Sequence, residues 1–142
     1  MQKKILILCT GNSARSQMAE GFLRSFDPKL QVFSAGTNPS DKVNPFAMQV
    51  MKEIGIDISR QYPKSVKQFI EQPFDYLITV CDNAKDICPV FVGQVKQRLH
   101  LSFEDPSEVR GTDTEVSQVF RRIRDEIRRA FHNFYSQTLM HE

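Results

Sequence analysis

Long hydrophobic runs are absent from this 142-residue sequence, and neither sign of charge is in large excess. The first apolar run, residues 5–8, is much shorter than a signal-peptide core or the roughly 18 residues that indicate a membrane span. With 19 Lys and Arg against 17 Asp and Glu, the net charge of +2 is too small to indicate binding to nucleic acid or an anionic membrane. We therefore expect a cytoplasmic protein with no membrane or nucleic-acid partner.

Cysteine and histidine are scarce, with three of each, and tryptophan is absent. An odd number of cysteines without a secretory signal argues against a structural disulfide framework and favours thiols that are kept reduced. Cys9, Cys81 and Cys88 are therefore all candidates for chemistry. No residues form a tetrahedral metal-binding pattern with His100, so we expect neither a metal nor another cofactor.

The length predicts one domain covering residues 1–142. Strand-like and helix-like segments alternate along the sequence. Predicted strands cover residues 5–8, 30–35, 74–81 and 98–103, and predicted helices cover 15–26, 45–54, 65–71 and a last segment with apolar positions from 116 to 134. This order is typical of an α/β fold with a four-stranded parallel sheet flanked by helices on both faces. Ligands of such folds bind at the carboxyl ends of the strands, where we expect Cys9, Cys81 and Asp105.

A loop between the first strand and the first helix has the composition of an oxyanion-binding site. Its residues are Cys9, Thr10, Gly11, Asn12, Ser13, Ala14, Arg15 and Ser16. Backbone N–H groups and the positive end of a helix bind tetrahedral anions, and an arginine adds a bidentate clamp. Gly11 permits positive φ and Asn12 tolerates the left-handed region, which a loop needs in order to turn its amides inward. The same field is expected to lower the pKa of Cys9, and Ser16 can further stabilise its thiolate.

Several motifs resemble those of the low-molecular-weight protein tyrosine phosphatase fold, and within it the thioredoxin-coupled arsenate reductases. They are CTGNSARSQMAEG at residues 9–21, SAG at 34–36, VNP at 43–45, DIS at 57–59, VCD at 80–82, CP at 88–89 and DP at 105–106. The resemblance covers nearly the whole chain. One departure is Ala14, where members of the subfamily often have another cysteine.

This resemblance implies reduction of arsenate to arsenite, and hence arsenical resistance. Cys9 would be the nucleophile, Arg15 would bind the oxyanion and Asp105 would be the general acid. Cys81 and Cys88 would complete a three-cysteine relay that ends in a redox-active Cys81–Cys88 disulfide. Thioredoxin is the expected electron donor, with glutaredoxin and glutathione as the alternative, and we expect a monomer.

Other interpretations of the same residues stay open. Cys9, Arg15 and Asp105 would suffice for a phosphatase acting on phosphotyrosine or small phosphate esters, although Ser107 stands where such enzymes usually have an aromatic residue. Three thiols could also bind arsenite or a soft metal ion in a sensor or sequestering protein. Asp105 can simply form a turn before proline, and buried cysteines can be inert.

Lys64 is a second departure from the resemblance. Some related reductases bind potassium through residues matching Asn12, Glu20 and Ser34 together with an aspartate, and Lys64 matches that aspartate. We expect the Lys64 ammonium to replace the ion through charge-assisted hydrogen bonds to Asn12 and Glu20.

Overall fold

The computed structural model describes residues 3–81, 91 and 93–140. Its strands are β1 (Lys4–Cys9), β2 (Gln31–Gly36), β3 (Phe74–Thr79) and β4 (Val95–His100). They form one sheet in the order β2-β1-β3-β4, and all three neighbouring pairs are parallel. The long helices are α1 (Arg15–Phe26), α2 (Pro45–Glu53) and α3 (Asp113–Phe134), and short helical turns lie at Val66–Gln68, Pro106–Glu108 and Tyr135–Leu139. The predicted α/β class with a four-stranded parallel sheet is confirmed.

The central strand β1 is apolar on both sides because both faces of the sheet are covered. Ile5 and Ile7 point into the larger hydrophobic cluster, where α1, α2 and α3 pack against each other and the sheet. Leu6 and Leu8 point into a smaller cluster on the opposite face. In the described part of the chain, that second face is covered by the turn at Val66–Gln68 and its neighbouring aromatic residues.

The helix ends follow local sequence signals. Asn44 caps α2 by accepting a hydrogen bond from the Phe46 N–H at 2.8 Å, and Gly55 follows the helix with φ of +83°. Thr112 and Glu115 form a reciprocal capping box at the start of α3. No helix among the residues that the structure describes has the length and hydrophobicity to cross a membrane.

Two predicted elements were misplaced. The last strand is Val95–His100 rather than residues 98–103, because its backbone pairs along β3 although most of its side chains are exposed. Such an edge strand lacks the apolar pattern on which the prediction relied. The helix predicted at 65–71 is only the short turn at Val66–Gln68, capped by the Ser65 hydroxyl. Asp105 therefore lies in a connection beyond the strand, with Pro106–Glu108 directly after it.

Candidate active site

The predicted oxyanion loop connects the end of β1 to the start of α1. Cys9 is the last residue of β1 and is buried with a reduced thiol. Ala14 occupies the N-cap position of α1. Because alanine has no side-chain acceptor, it cannot cap the N–H groups of the first helical turn, which are the groups that bind anions at helix N-termini.

Asn12 is the conformational centre of this loop. It is the only described residue other than glycine with positive φ, at +51°, and it is completely buried. Its Nδ2 donates to Ser16 Oγ at 2.8 Å and to Ser34 Oγ at 2.9 Å, while its Oδ1 accepts from the Lys64 backbone N–H at 2.9 Å. Three hydrogen bonds thus stabilise a backbone conformation that is unfavourable for most residues with a side chain.

Gly11 does not use the positive φ that its lack of a side chain permits. Instead, its carbonyl accepts from the Ser40 N–H at 2.9 Å, and a Cβ at Gly11 would lie 3.0 Å from Ser40 Oγ. A side chain at residue 11 would therefore have to displace the Ser40 hydroxyl. The left-handed turn itself is made by Asn12.

The buried Glu20 contacts Ser34, one of the partners of Asn12, and also lies beside charged side chains. Ser34 Oγ donates to Glu20 Oε1 at 2.6 Å, and Arg24 Nε donates to Glu20 Oε2 at 2.8 Å. The Lys64 ammonium lies 4.0 Å from Glu20 Oε1 and donates to the Tyr62 carbonyl at 2.8 Å. Burial lowers the pKa of Lys64, and the charge of Glu20 partly opposes that effect.

The Lys64 ammonium lies beside Glu20 as predicted, but the predicted bond from the ammonium to Asn12 is wrong. Its ammonium makes an ion pair with Glu20, but the hydrogen bond to Asn12 comes from the Lys64 backbone N–H. Any residue except proline can place a backbone donor there, so side-chain chemistry alone could not predict this bond.

Gln17 is a supporting residue that sequence reasoning missed. It is fully buried in α1, and its Nε2 donates to the Asn12 carbonyl at 2.9 Å and to the Tyr62 carbonyl at 3.0 Å. Gln61 in turn donates to Gln17 Oε1 at 2.8 Å. No sequence signal indicated this role, because the neighbours of Gln17 on the helix surface, Glu20, Gly21 and Arg24, are typical of a solvated face.

The side chains of Arg15 and Asp105 lie next to each other beside the predicted oxyanion loop. Arg15 is 4% exposed; its Nη1 donates to the Phe103 carbonyl at 3.0 Å, and its Nη2 lies 3.5 Å from Asp105 Oδ2. Asp105 also forms the predicted turn, because its Oδ1 accepts from the Ser107 N–H at 3.0 Å and from Ser107 Oγ at 2.7 Å. The interpretation of Asp105 as a turn-forming residue is thus confirmed. Its carboxyl group also lies next to Arg15, the residue predicted to bind the oxyanion.

Cys9 and Cys81, the two cysteines in the described part of the chain, lie at the same edge of the sheet. Leu8 of β1 pairs with Thr79 of β3, and the Val80 N–H continues the pairing by donating to the Leu8 carbonyl at 3.0 Å. Cys9 and Cys81 follow directly on these adjacent strands. Cys81 is fully buried and disulfide-bonded. Cys88, its predicted partner, lies outside the described residues.

Among residues 3–81, 91 and 93–140, no group of three or more His, Cys, Asp or Glu side chains could hold a metal ion.

Comparison with known proteins identifies the family to which this arrangement belongs. Residues 4–142 match the family model described as low molecular weight phosphotyrosine protein phosphatase. The chain belongs to this family. The match covers the predicted oxyanion loop, the four strands and α3 together.

Relatives within the family are named for a different reaction. An arsenate reductase of Halalkalibacterium halodurans is 46% identical over 136 residues, which cover 94% of this chain and 96% of the relative. The structure of an arsenate reductase in the phosphate binding state is 33% identical with a TM-score of 0.78, covering 96% and 98% of the two chains. A Corynebacterium glutamicum thioredoxin-dependent arsenate reductase is 25% identical with a TM-score of 0.61, covering 96% of this chain and 64% of the other.

Proposed function

We propose that this protein reduces arsenate to arsenite by a relay of three cysteines. The observation that carries the proposal is the placement of Cys9 and Cys81 at the ends of adjacent strands, beside a loop that contains Arg15. The naming of 46% and 43% identical relatives as arsenate reductases supports the same reaction.

The first step uses the loop and the carboxyl group beside it. Backbone groups of residues 10–16 and the Arg15 guanidinium bind the arsenate oxygens. The Cys9 thiolate attacks arsenic, and a sulfur–arsenic bond replaces one arsenic–oxygen bond. The departing hydroxyl takes a proton from Asp105 and leaves as water. Arsenic is still pentavalent after this step.

The second step transfers the two electrons. The Cys81 thiolate attacks Cys9 Sγ, forming a Cys9–Cys81 disulfide and breaking the sulfur–arsenic bond. Arsenic retains the electron pair of that bond, becomes trivalent and leaves as arsenite with protons from water. A plain phosphatase would need no second thiol.

The third step restores the nucleophile. The Cys88 thiolate attacks Cys81 Sγ, which releases Cys9 as a thiolate and forms a Cys81–Cys88 disulfide. A thioredoxin dithiol then reduces this disulfide, as the thioredoxin-dependent relative suggests; glutaredoxin with glutathione is the other donor to test. We infer a monomer acting in a reducing cytoplasm, where the three thiols are regenerated.

The decisive experiment is arsenate-dependent NADPH consumption with thioredoxin and thioredoxin reductase. We expect turnover by the wild type and none by Cys9→Ser, Cys81→Ser or Cys88→Ser. Hydrolysis of p-nitrophenyl phosphate by the same variants provides the control, because any such activity should need Cys9 but not the other two cysteines. Undiminished arsenate turnover by Cys81→Ser would refute the relay, and phosphate-ester hydrolysis without arsenate turnover would support the phosphatase alternative.

A further inference from the structure

We propose that Ser107 is a positioning residue, which orients the carboxyl group of Asp105 so that Oδ2 carries the transferable proton. This inference rests on the proposed role of Asp105 as general acid. It assigns different tasks to the two carboxyl oxygens. Oδ1 accepts the hydrogen bonds that form the turn, and Oδ2 faces Arg15 of the predicted oxyanion loop.

The hydrogen bonds of Oδ1 determine this division. Ser107 provides two donors to that oxygen, its N–H at 3.0 Å and its hydroxyl at 2.7 Å. An oxygen that accepts two hydrogen bonds has little capacity left to bind a proton, because both donor hydrogens point at its lone pairs. A proton on the Asp105 carboxyl group is therefore directed to Oδ2.

The position of Oδ2 makes that proton useful. This oxygen lies 3.5 Å from Arg15 Nη2, and Arg15 is fixed by its bond to the Phe103 carbonyl at 3.0 Å. The guanidinium that would bind the oxyanion thus has the acid directly beside it. Since Asp105 is anchored through Ser107 on one side and faces Arg15 on the other, its carboxyl plane cannot rotate without breaking a contact.

The location of Ser107 allows a clean test. Its side chain is exposed on the short turn Pro106–Glu108, whereas the neighbouring Pro106 is buried. Removing one exposed hydroxyl leaves the backbone N–H bond to Asp105 in place. Ser107→Ala should therefore fold normally and change only how firmly the carboxyl group is oriented.

The measurement is the single-turnover rate at which reduced protein loses thiols after mixing with arsenate in the absence of thioredoxin. We expect Ser107→Ala to lower the maximal rate about fivefold, with the half-saturating arsenate concentration and inhibition by inorganic phosphate unchanged. Ser107→Thr retains a hydroxyl and should restore most of the rate. Ser102→Ala, at an exposed serine of the same connection, is the matched control and should react like the wild type.

The Asp105→Asn variant distinguishes failure of the proposed acid from failure of the proposed role of Ser107. If this variant reacts as fast as the wild type, Asp105 is not the acid and both proposals fail at that point. If it is slow and Ser107→Ala is not, only the role of Ser107 is refuted. When Ser107 acts through Asp105, adding Ser107→Ala to Asp105→Asn should produce no further loss, and independent additive losses would overturn the inference.

Discussion

Gly36 and Thr10 approach so closely that a Cβ at Gly36 would lie 2.3 Å from the Thr10 carbonyl oxygen. Gly36 ends β2 and pairs in register with Cys9 at the end of β1. The first residue after Cys9 therefore runs directly over this glycine. The absence of a side chain on β2 is what allows the loop to begin where it does.

Gly36→Ala should consequently move the start of the loop. We expect the free energy of unfolding to fall by about 2–3 kcal/mol, because the new methyl group meets backbone rather than a flexible side chain. Affinity for inorganic phosphate should fall as well. Urea denaturation and calorimetric phosphate titration measure the two effects. Gly55→Ala is the contrast: its Cβ would meet open space, so only the strain of φ +83° remains, and phosphate affinity should be unchanged.

Asn12 should reveal separate contributions from its backbone and its side chain. Asn12→Gly keeps the left-handed conformation accessible but removes the bonds to Ser16, Ser34 and Lys64. Asn12→Ala removes the same bonds and adds a Cβ penalty of about 1 kcal/mol. Both variants should be destabilised in urea, with alanine the worse by about that amount. Equal stabilities would mean that φ of +51° carries no strain.

Arg15→Lys tests whether a single positive charge is sufficient. Lysine cannot both donate to the Phe103 carbonyl and offer a planar pair of donors to an oxyanion. We expect arsenate turnover to fall about 100-fold with weaker phosphate binding, while the melting temperature changes little. Arg110→Lys, at an exposed arginine, controls for the chemical substitution itself. Near wild-type turnover by Arg15→Lys would show that the guanidinium geometry is unimportant.

The position of Lys64 predicts how arsenate turnover depends on potassium. Because its ammonium lies 4.0 Å from Glu20, we expect turnover to be the same in potassium and sodium chloride at equal ionic strength. Stimulation by potassium would contradict the substitution of an ion by this side chain.

The pH dependence of stability provides an independent check on Lys64. Its pKa is lowered in the folded protein by burial, so the unfolded chain binds more protons in the window below the ordinary value of 10.5. The stability of the wild type should therefore rise relative to Lys64→Met as the pH increases toward 10.5. Urea denaturation of both proteins across the alkaline range measures the difference, and parallel curves would refute a buried ammonium.

Local sequence signals predicted much of the architecture because they act over a few residues. Asn44 before a proline fixed the start of α2, and the apolar run after Lys4 indicated a strand buried on both faces. The cysteine-to-arginine loop could be predicted for the same reason.

Features that depend on contacts between distant segments were not predictable. The exposed residues of β4 form a strand only because β3 is available to pair with them. Similarly, the partners that hold Asn12 in its left-handed conformation, Ser16, Ser34 and residue 64, come from three parts of the chain. The spacing of residues in the sequence does not identify those partners.

The Arg15–Asp105 ion pair joins two distant parts of the chain. Arg15 begins α1, whereas Asp105 lies in the connection after β4, and their side chains approach to 3.5 Å. An oxyanion bound by this guanidinium would share it with the Asp105 carboxyl group. The contents of the predicted oxyanion loop would therefore bear directly on the position of a segment that is remote in sequence.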